Sequence, residues 1–185
     1  MDKPPAPQTK RFVIPEVVVS HFHLHEGDAI GDFGAGAGYF IEVLSKEVGD
    51  EGRVYACEIQ KELVESMGNM VRNKGISNVD VLWCDMEEGE GVPVKSDTLD
   101  VVIMVNTLFL LHDKETALKE VFRTLRSGGK FFLVDWSESF GGLGPRPNQV
   151  VSQVNAQSTT EEVGFVYERS FDSGDHHYGL AFRKP

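Results

Sequence analysis

Ala29-Ile30-Gly31-Asp32-Phe33-Gly34-Ala35-Gly36-Ala37-Gly38-Tyr39 reads as the end of a buried strand, a tight glycine turn and the first turn of a helix. Glycines at every second position from Gly34 to Gly38 let the backbone take positive φ and approach a ligand closely. The helix that follows presents free N–H groups and a positive dipole end to that ligand. The spacing narrows the ligand class. A dinucleotide fingerprint is G-x-G-x-x-G, and here the third glycine comes one residue early. Asp32 also stands two places before the first glycine. A carboxylate there repels a pyrophosphate and suits a ligand carrying an ammonium or sulfonium charge.

Outward from this turn, strand and helix patterns alternate. Strands are expected at Ala29 to Phe33, Arg53 to Glu58, Val79 to Trp83, Leu99 to Val105 and Lys130 to Trp136. Apolar stripes place helices between them: Phe40, Val43, Leu44 and Val48; then Leu63, Met67, Met70 and Val71; then Leu118, Val121, Phe122 and Leu125. Gly75 is a C-cap for the second of these helices, Asp113 an N-cap for the third, and Gly128-Gly129 its end. The nearly all-apolar strand at Leu99 reads as a central parallel strand covered on both faces. Alternation of this kind predicts an α/β domain with right-handed crossovers.

Upstream, Pro15 opens a short helix, and His21, His23 and His25 alternate as a polar rim rather than a metal site. Downstream, the glycine- and proline-rich stretch Ser137 to Asn148 has the place and composition of a lid. Ser158-Thr159-Thr160-Glu161 has the form of a capping box for one more helix, stopped at Gly164. Tyr167 to Phe171 and Tyr178 to Arg183 flank a turn signal, Asp172 to Asp175, and so form a terminal hairpin. His176-His177 falls to the hairpin turn on this reading.

The 185 residues suit one domain over residues 10–185, behind a proline-rich lead-in at 1–9 expected to be disordered. Hydrophobic content is 41%, and no apolar run approaches the ~20 residues that span a bilayer, so stable membrane insertion is not expected. Met1 to Gln8 lacks a signal-peptide core, which points to the cytoplasm. A net charge of −11 disfavours nucleic acid and anionic membranes, and Lys10-Arg11 is too small a basic patch to reverse that. Cys57 and Cys84 form no spaced metal motif and read as small core residues.

Three acids fall at successive strand ends: Asp32, Glu58 and Asp85. Ligands of open parallel sheets bind outside those ends, where strand order reverses. The D-x-G-x-G-x-G pattern at Asp32 resembles motif I of the class I S-adenosylmethionine-dependent methyltransferases. Leu99-Asp100-Val101-Val102-Ile103 looks like their fourth motif. The passage from Ala117 to Lys130 resembles the small-molecule branch that includes the ubiquinone and menaquinone biosynthesis enzymes. The resemblance runs from about Glu26 to Lys184. It implies a Rossmann-like, doubly wound, mostly parallel seven-stranded sheet with an antiparallel C-terminal hairpin. It also implies a cofactor, S-adenosyl-L-methionine, held by residues in defined roles. Gly34, Ala35, Gly36 and Gly38 form the turn, and Asp32 meets the methionine ammonium. Glu58 takes the ribose hydroxyls, Asp85 the adenine amine, and Ile59 and Met86 sandwich the adenine. Asn106 can contact the methionine moiety.

The substrate half departs from the branch. A histidine pair usual after the fourth strand is replaced by Phe109-Leu110, and only His112 is near. A proline usual before the double glycine is Ser127. No catalytic residue stands out: His112 is a poor general base, and Asp135-Trp136 at the end of the fifth strand reads as a strand-end cap before a residue pair facing the acceptor. Methyl transfer to a small-molecule acceptor is the expected function, with Phe109, Leu110, Leu111 and Trp136 as an apolar wall. A nucleic-acid or protein acceptor comes second. A non-catalytic cofactor-binding subunit and a nicotinamide-dependent oxidoreductase are the remaining alternatives. No metal is expected, and the two cysteines argue against arsenic methylation.

Overall fold

The computed structural model describes residues 13–142 and 144–185. The lead-in expected to be disordered lies outside the described residues. The chain folds as α1 (Pro15–Ser20), β1 (Ala29–Phe33), α2 (Ile41–Val48), β2 (Arg53–Glu58), α3 (Lys61–Lys74), β3 (Val79–Trp83), β4 (Leu99–Val105), α4 (Lys114–Thr124), β5 (Leu125–Trp136), α5 (Gln153–Glu162), β6 (Val166–Phe171) and β7 (His177–Arg183). A 3-10 turn at Leu108–Leu110 follows β4. One seven-stranded sheet has the order β3-β2-β1-β4-β5-β7-β6. β1 to β5 pair in parallel, and β7 runs antiparallel to both β5 and β6. This is the doubly wound sheet and terminal hairpin expected from the sequence.

Side chains alternate between the two faces of a strand, and the core divides accordingly. Phe33, Val102, Met104, Phe131, Leu133, Leu180 and Phe182 pack on one face with α4 and α5. Ile30, Val101, Ile103, Phe132, Val134 and Ala181 pack on the other with α1, α2 and α3. α1 is tied down by Phe22, fully buried and stacked on Phe132 at 4.4 Å. Fully burying one such ring contributes about 1.5–3 kcal/mol. Pro15 does open α1, and Gly75 caps α3 in the left-handed conformation. Asp113 caps α4 by accepting from the Thr116 N–H at 3.0 Å.

Two boundaries differ from the sequence reading. Gly128-Gly129 does not end α4. The helix closes at Thr124, and β5 begins at Leu125, opposite Leu99. The ladder with β4 then shifts register and resumes at Lys130, opposite Val101. The double glycine therefore serves an irregularity inside β5, where Gly128 holds φ +76°. The apparent capping box is interior to α5. Ser152 is the cap, accepting from the Asn155 N–H at 3.2 Å, and the Ser158 hydroxyl donates to Glu162 one turn on. A Ser-x-x-Glu string within a helix makes the same pattern as one at its start.

The long acidic connection after β3 is pinned to α4. Glu120, 4% exposed, accepts from the Glu90 and Val92 N–H groups, and Arg123 donates to the Val92 and Val94 carbonyls. Among the described residues no helix is long and apolar enough to cross a membrane.

Candidate active site

Strand order reverses between β1 and β4, and a cavity of about 330 Å3 opens at the carboxyl ends there. Asp32 from β1, Val105 from β4 and Trp136 from β5 line it, with Ala35, Gly36 and Asn106 from the turns that follow. Two residues earlier on these strands, Ile30, Ile103 and Val134 share one core cluster. The crevice therefore continues that apolar face past the end of the sheet.

The three glycines of the turn do different work. A Cβ on Gly34 would lie 2.4 Å from Thr107 Oγ1, so Gly34 lets the loop after β4 close against β1. A Cβ on Gly38 would lie 2.8 Å from Ile41 Cδ1 and 3.1 Å from Met67, so Gly38 admits α3. A Cβ on Gly36 would meet nothing within 4 Å. Gly36 alone faces open space, at φ +57°. Its N–H donates to Glu58 Oε2 at 2.9 Å, and the Gln60 N–H donates to Oε1 at 2.9 Å. Glu58, 5% exposed, does not itself line the cavity; it is held behind Gly36, which does, by backbone on both sides, with lone pairs still unused.

Asp32 is 2% exposed, and its Oδ2 is buried with no hydrogen-bond partner. Burial, reinforced by the Glu58 charge, raises its carboxyl to about 7. Asn106 sits beside it in the cavity lining, in the left-handed region at φ +55°. Asn tolerates that conformation better than most residues. Its Oδ1 is likewise buried without a partner. Unpartnered buried polar atoms are rare in folded chains, and three residues lining this cavity carry one, Asp32, Asn106 and His177, which marks a place that a donor-bearing ligand completes.

The other acid is peripheral to this cavity. Asp85 is partly buried, and its Oδ1 accepts from the Glu87 N–H at 2.9 Å. Ile59 is half exposed, with its carbonyl held by the Trp83 indole N–H at 2.7 Å, whereas Met86 is buried in the core. Cys57 and Cys84 are buried and free. Contact with Cys84, then burial, raises the Cys57 thiol.

The expected apolar wall is split. Trp136 lines the crevice, while Phe109, Leu110 and Leu111 line a separate groove of about 710 Å3 with Asn148, Gln149 and α5. His112 lines that groove too. Asp135 is a cap: Oδ1 accepts from the Trp136 N–H at 2.7 Å and Oδ2 from the Phe109 N–H at 3.0 Å. Burial raises its carboxyl to about 6 despite those bonds. The stretch read as a lid is anchored at two points. Phe140 stacks on His176 at 3.8 Å, and Gly144 packs so close to Trp136 that a Cβ would lie 2.4 Å from the indole. His21 lies against Phe171 and His25 beside Asp28, and among the described residues no three ligand-type side chains gather as a metal site. His177 was missed. It is the first residue of β7, paired with Trp136, and it lines the crevice. Extending the Tyr178 strand by one residue, opposite the end of β5, is the signal that locates it.

The family model described as Methyltransferase domain matches residues 24–169. The chain belongs to the methyltransferase domain family. A crystal structure of a SAM-dependent methyltransferase from Aquifex aeolicus is similar over 92% of this chain and 89% of its own, with a TM-score of 0.85 and 30% identity. The ubiquinone/menaquinone biosynthesis C-methyltransferase UbiE of Vibrio parahaemolyticus is 31% identical over 113 residues, 60% of this chain and 42% of that protein. UbiE of Haemophilus ducreyi is 28% identical over 116 residues, 62% of this chain and 44% of that protein. This methyltransferase domain thus spans less than half the length of those curated relatives. The [4+2]-cyclase SpnF shares the fold at a TM-score of 0.79 and 15% identity, over 92% of this chain and 80% of its own. One fold therefore serves more than one chemistry.

Proposed function

We propose that this methyltransferase domain binds S-adenosylmethionine in the β1–β4 crevice and transfers its methyl group to a small-molecule acceptor. The observation that carries the reading is the pair of buried, unpartnered acceptors, Asp32 Oδ2 and Asn106 Oδ1, in a cavity fronted by an open Gly36. These residues fit the cofactor's methionine end, whose ammonium supplies donors and positive charge. That charge also favours the ionised form of Asp32, which burial opposes. Glu58, fixed by two backbone N–H groups, keeps lone pairs for ribose hydroxyls. Asp85 is assigned the adenine amine, Ile59 and Met86 the faces of the ring, and Ala35 with Gly36 the backbone approach. Gly34 and Gly38 contribute by shaping the turn.

When bound, the cofactor supplies a methyl already activated on a sulfonium, so the chain's own part is positioning and exclusion of water. Val105, Trp136 and Phe40 give the crevice apolar walls for that purpose. A net charge of −11 favours a small acceptor over nucleic acid. We assign the domain to the cytoplasm, where two buried thiols remain reduced.

Calorimetric titration with S-adenosylmethionine, S-adenosylhomocysteine and NAD tests the cofactor. Binding of both sulfur compounds, with no NAD binding, is the expected result. Heat from NAD alone restores the oxidoreductase alternative. A screen of phenols, hydroquinones and amines with methyl-labelled S-adenosylmethionine then tests transfer. Tight binding with no labelled product from any acceptor contradicts the enzymatic reading.

A further inference from the structure

His177 lines the crevice, and its protonation is fixed by its surroundings. Nδ1 lies 2.8 Å from the Asp175 carbonyl oxygen. A carbonyl only accepts, so Nδ1 carries the proton and donates it. In the neutral ring Nε2 is then a bare lone pair, and Nε2 is buried with no hydrogen-bond partner. The ring packs on Trp136 with centroids 4.2 Å apart.

The turn before β7 is built to hold this ring. The Ser137 N–H donates to the His176 carbonyl at 2.8 Å, which joins the end of β5 to the turn. His176 takes the left-handed conformation at φ +65°, one that histidine adopts more readily than most side chains, and this shapes the turn. Its Nδ1 is 2.7 Å from Glu138, and its ring stacks on Phe140. These contacts fix the residue that precedes His177, which lines the crevice.

Resting on the transfer reading above, we propose that His177 is the general base of this domain, its Nε2 taking a proton from a phenolic or enolic acceptor. The acceptor's O–H proton passes to Nε2, and the freed electron pair, on oxygen or on the conjugated carbon, forms the new bond to the methyl carbon. The carbon–sulfur bond breaks with its electron pair going to sulfur, leaving a neutral thioether. Where carbon is the nucleophile, loss of its own proton to solvent restores the ring. The imidazolium returns its proton to water. The charged and titratable groups around His177 fit this role. Asp32 and Tyr39 line the same crevice. His176, paired with Glu138, and Asp175 belong to the turn. Asp135 and Tyr178 lie on the opposite face of the sheet, Tyr178 within the other core cluster. Burial lowers the imidazole below its ordinary 6.5, with His176 adding to the effect and the Asp175 carbonyl opposing it. The base is therefore unprotonated at neutral pH.

The test uses the full chain labelled with 15N-histidine, and long-range proton–nitrogen spectra read the tautomer. Loss of one of six histidine signals in His177→Gln makes the assignment. The expected state is neutral, protonated at Nδ1, and titrating below 6.5. Where His177→Gln does not fold, through-bond correlation of the ring to the His177 backbone makes the assignment in the wild type, and a ring protonated at Nε2 at pH 7 overturns the proposal without any turnover measurement. With an acceptor returned by the screen, His177→Gln is expected to lower kcat by roughly 10^2–10^4-fold. Its Kd for S-adenosylhomocysteine stays within about threefold, as expected of a residue that does not hold the cofactor. At saturating S-adenosylmethionine, wild-type log kcat/KM for the acceptor falls with unit slope below the pH at which the His177 signal titrates in the S-adenosylmethionine-bound chain. An unchanged kcat in the variant, or a wild-type profile flat through that pH, contradicts the base role and leaves the transfer reading standing. No product from any acceptor despite tight S-adenosylhomocysteine binding contradicts the transfer reading, and with it the base.

Discussion

Asp32 and Asp135 close β1 and β5, two parallel strands of the same sheet, and burial raises both carboxyls. Their partners differ. Both oxygens of Asp135 receive backbone N–H groups, so that carboxylate is complete and staples the loop after β4 to the end of β5. Asp32 keeps a buried oxygen with nothing to bond, beside an Asn106 oxygen in the same condition. A buried acid with its partners in place is architecture. A buried acid without them is a cost to the fold that a ligand can remove, and the β1–β4 crevice is where this chain carries that cost.

The contrast is sharpest in binding. Asp32→Asn is expected to weaken S-adenosylhomocysteine by roughly 10^2-fold or more, since breaking a buried charge pair costs about 3–5 kcal/mol. Asp135→Asn should leave that affinity within about threefold, because Asp135 does not line the crevice. Equal losses in calorimetry would erase the distinction.

Stability should move the opposite way. The Asp32 carboxyl is raised from 3.8 to about 7, so between those values the folded state holds a proton that the unfolded state has released. Stability then falls as pH rises from about 4 to 7 and levels off above, with a span of at most about 4 kcal/mol. Asp32→Asn removes that loss and should raise the urea midpoint at pH 8. Asp135, raised from 3.8 to about 6, carries a smaller loss of the same sign, but Asp135→Asn turns an amide N–H toward a backbone donor at a cost of about 1–3 kcal/mol, so it should gain less at pH 8 than Asp32→Asn does. A destabilised Asp32→Asn at pH 8 would show that its carboxylate already has a partner.

The glycine turn permits a finer cut. Gly34→Ala drives a Cβ into Thr107, whereas Gly36→Ala meets only the left-handed backbone cost of about 1–2 kcal/mol. Gly34→Ala should therefore be the less stable by about 1–3 kcal/mol. Gly36→Ala should show the greater loss of S-adenosylhomocysteine affinity relative to its stability loss. Chemical denaturation paired with titration separates the two.

The sequence makes the sheet legible because β4 is a continuous apolar run and the helical stripes recur with the right period. It also identifies Asp32, because an acid two places before a glycine turn is a local pattern. It misleads where one string serves two structures. Gly128-Gly129 reads as a helix stop and is an irregularity within β5. Ser158 to Glu161 reads as a cap and lies inside α5. The division of labour among Gly34, Gly36 and Gly38 depends on Thr107, Ile41 and Met67, which tertiary folding brings up to the turn. His177 is hidden for the same reason. Its place opposite Trp136 is fixed by an antiparallel register between segments about forty residues apart, and no local spacing reports that.

The most direct test of the central claim is the Kd of S-adenosylhomocysteine measured by calorimetry from pH 5.5 to 7.5, for the wild type and Asp32→Asn. If the ionised Asp32 receives the ligand's ammonium, wild-type affinity should rise roughly twenty-fold across that range as the carboxyl titrates near 7. The variant should bind weakly and without that dependence. A wild-type affinity flat with pH, or a variant that keeps the same slope, would contradict the account.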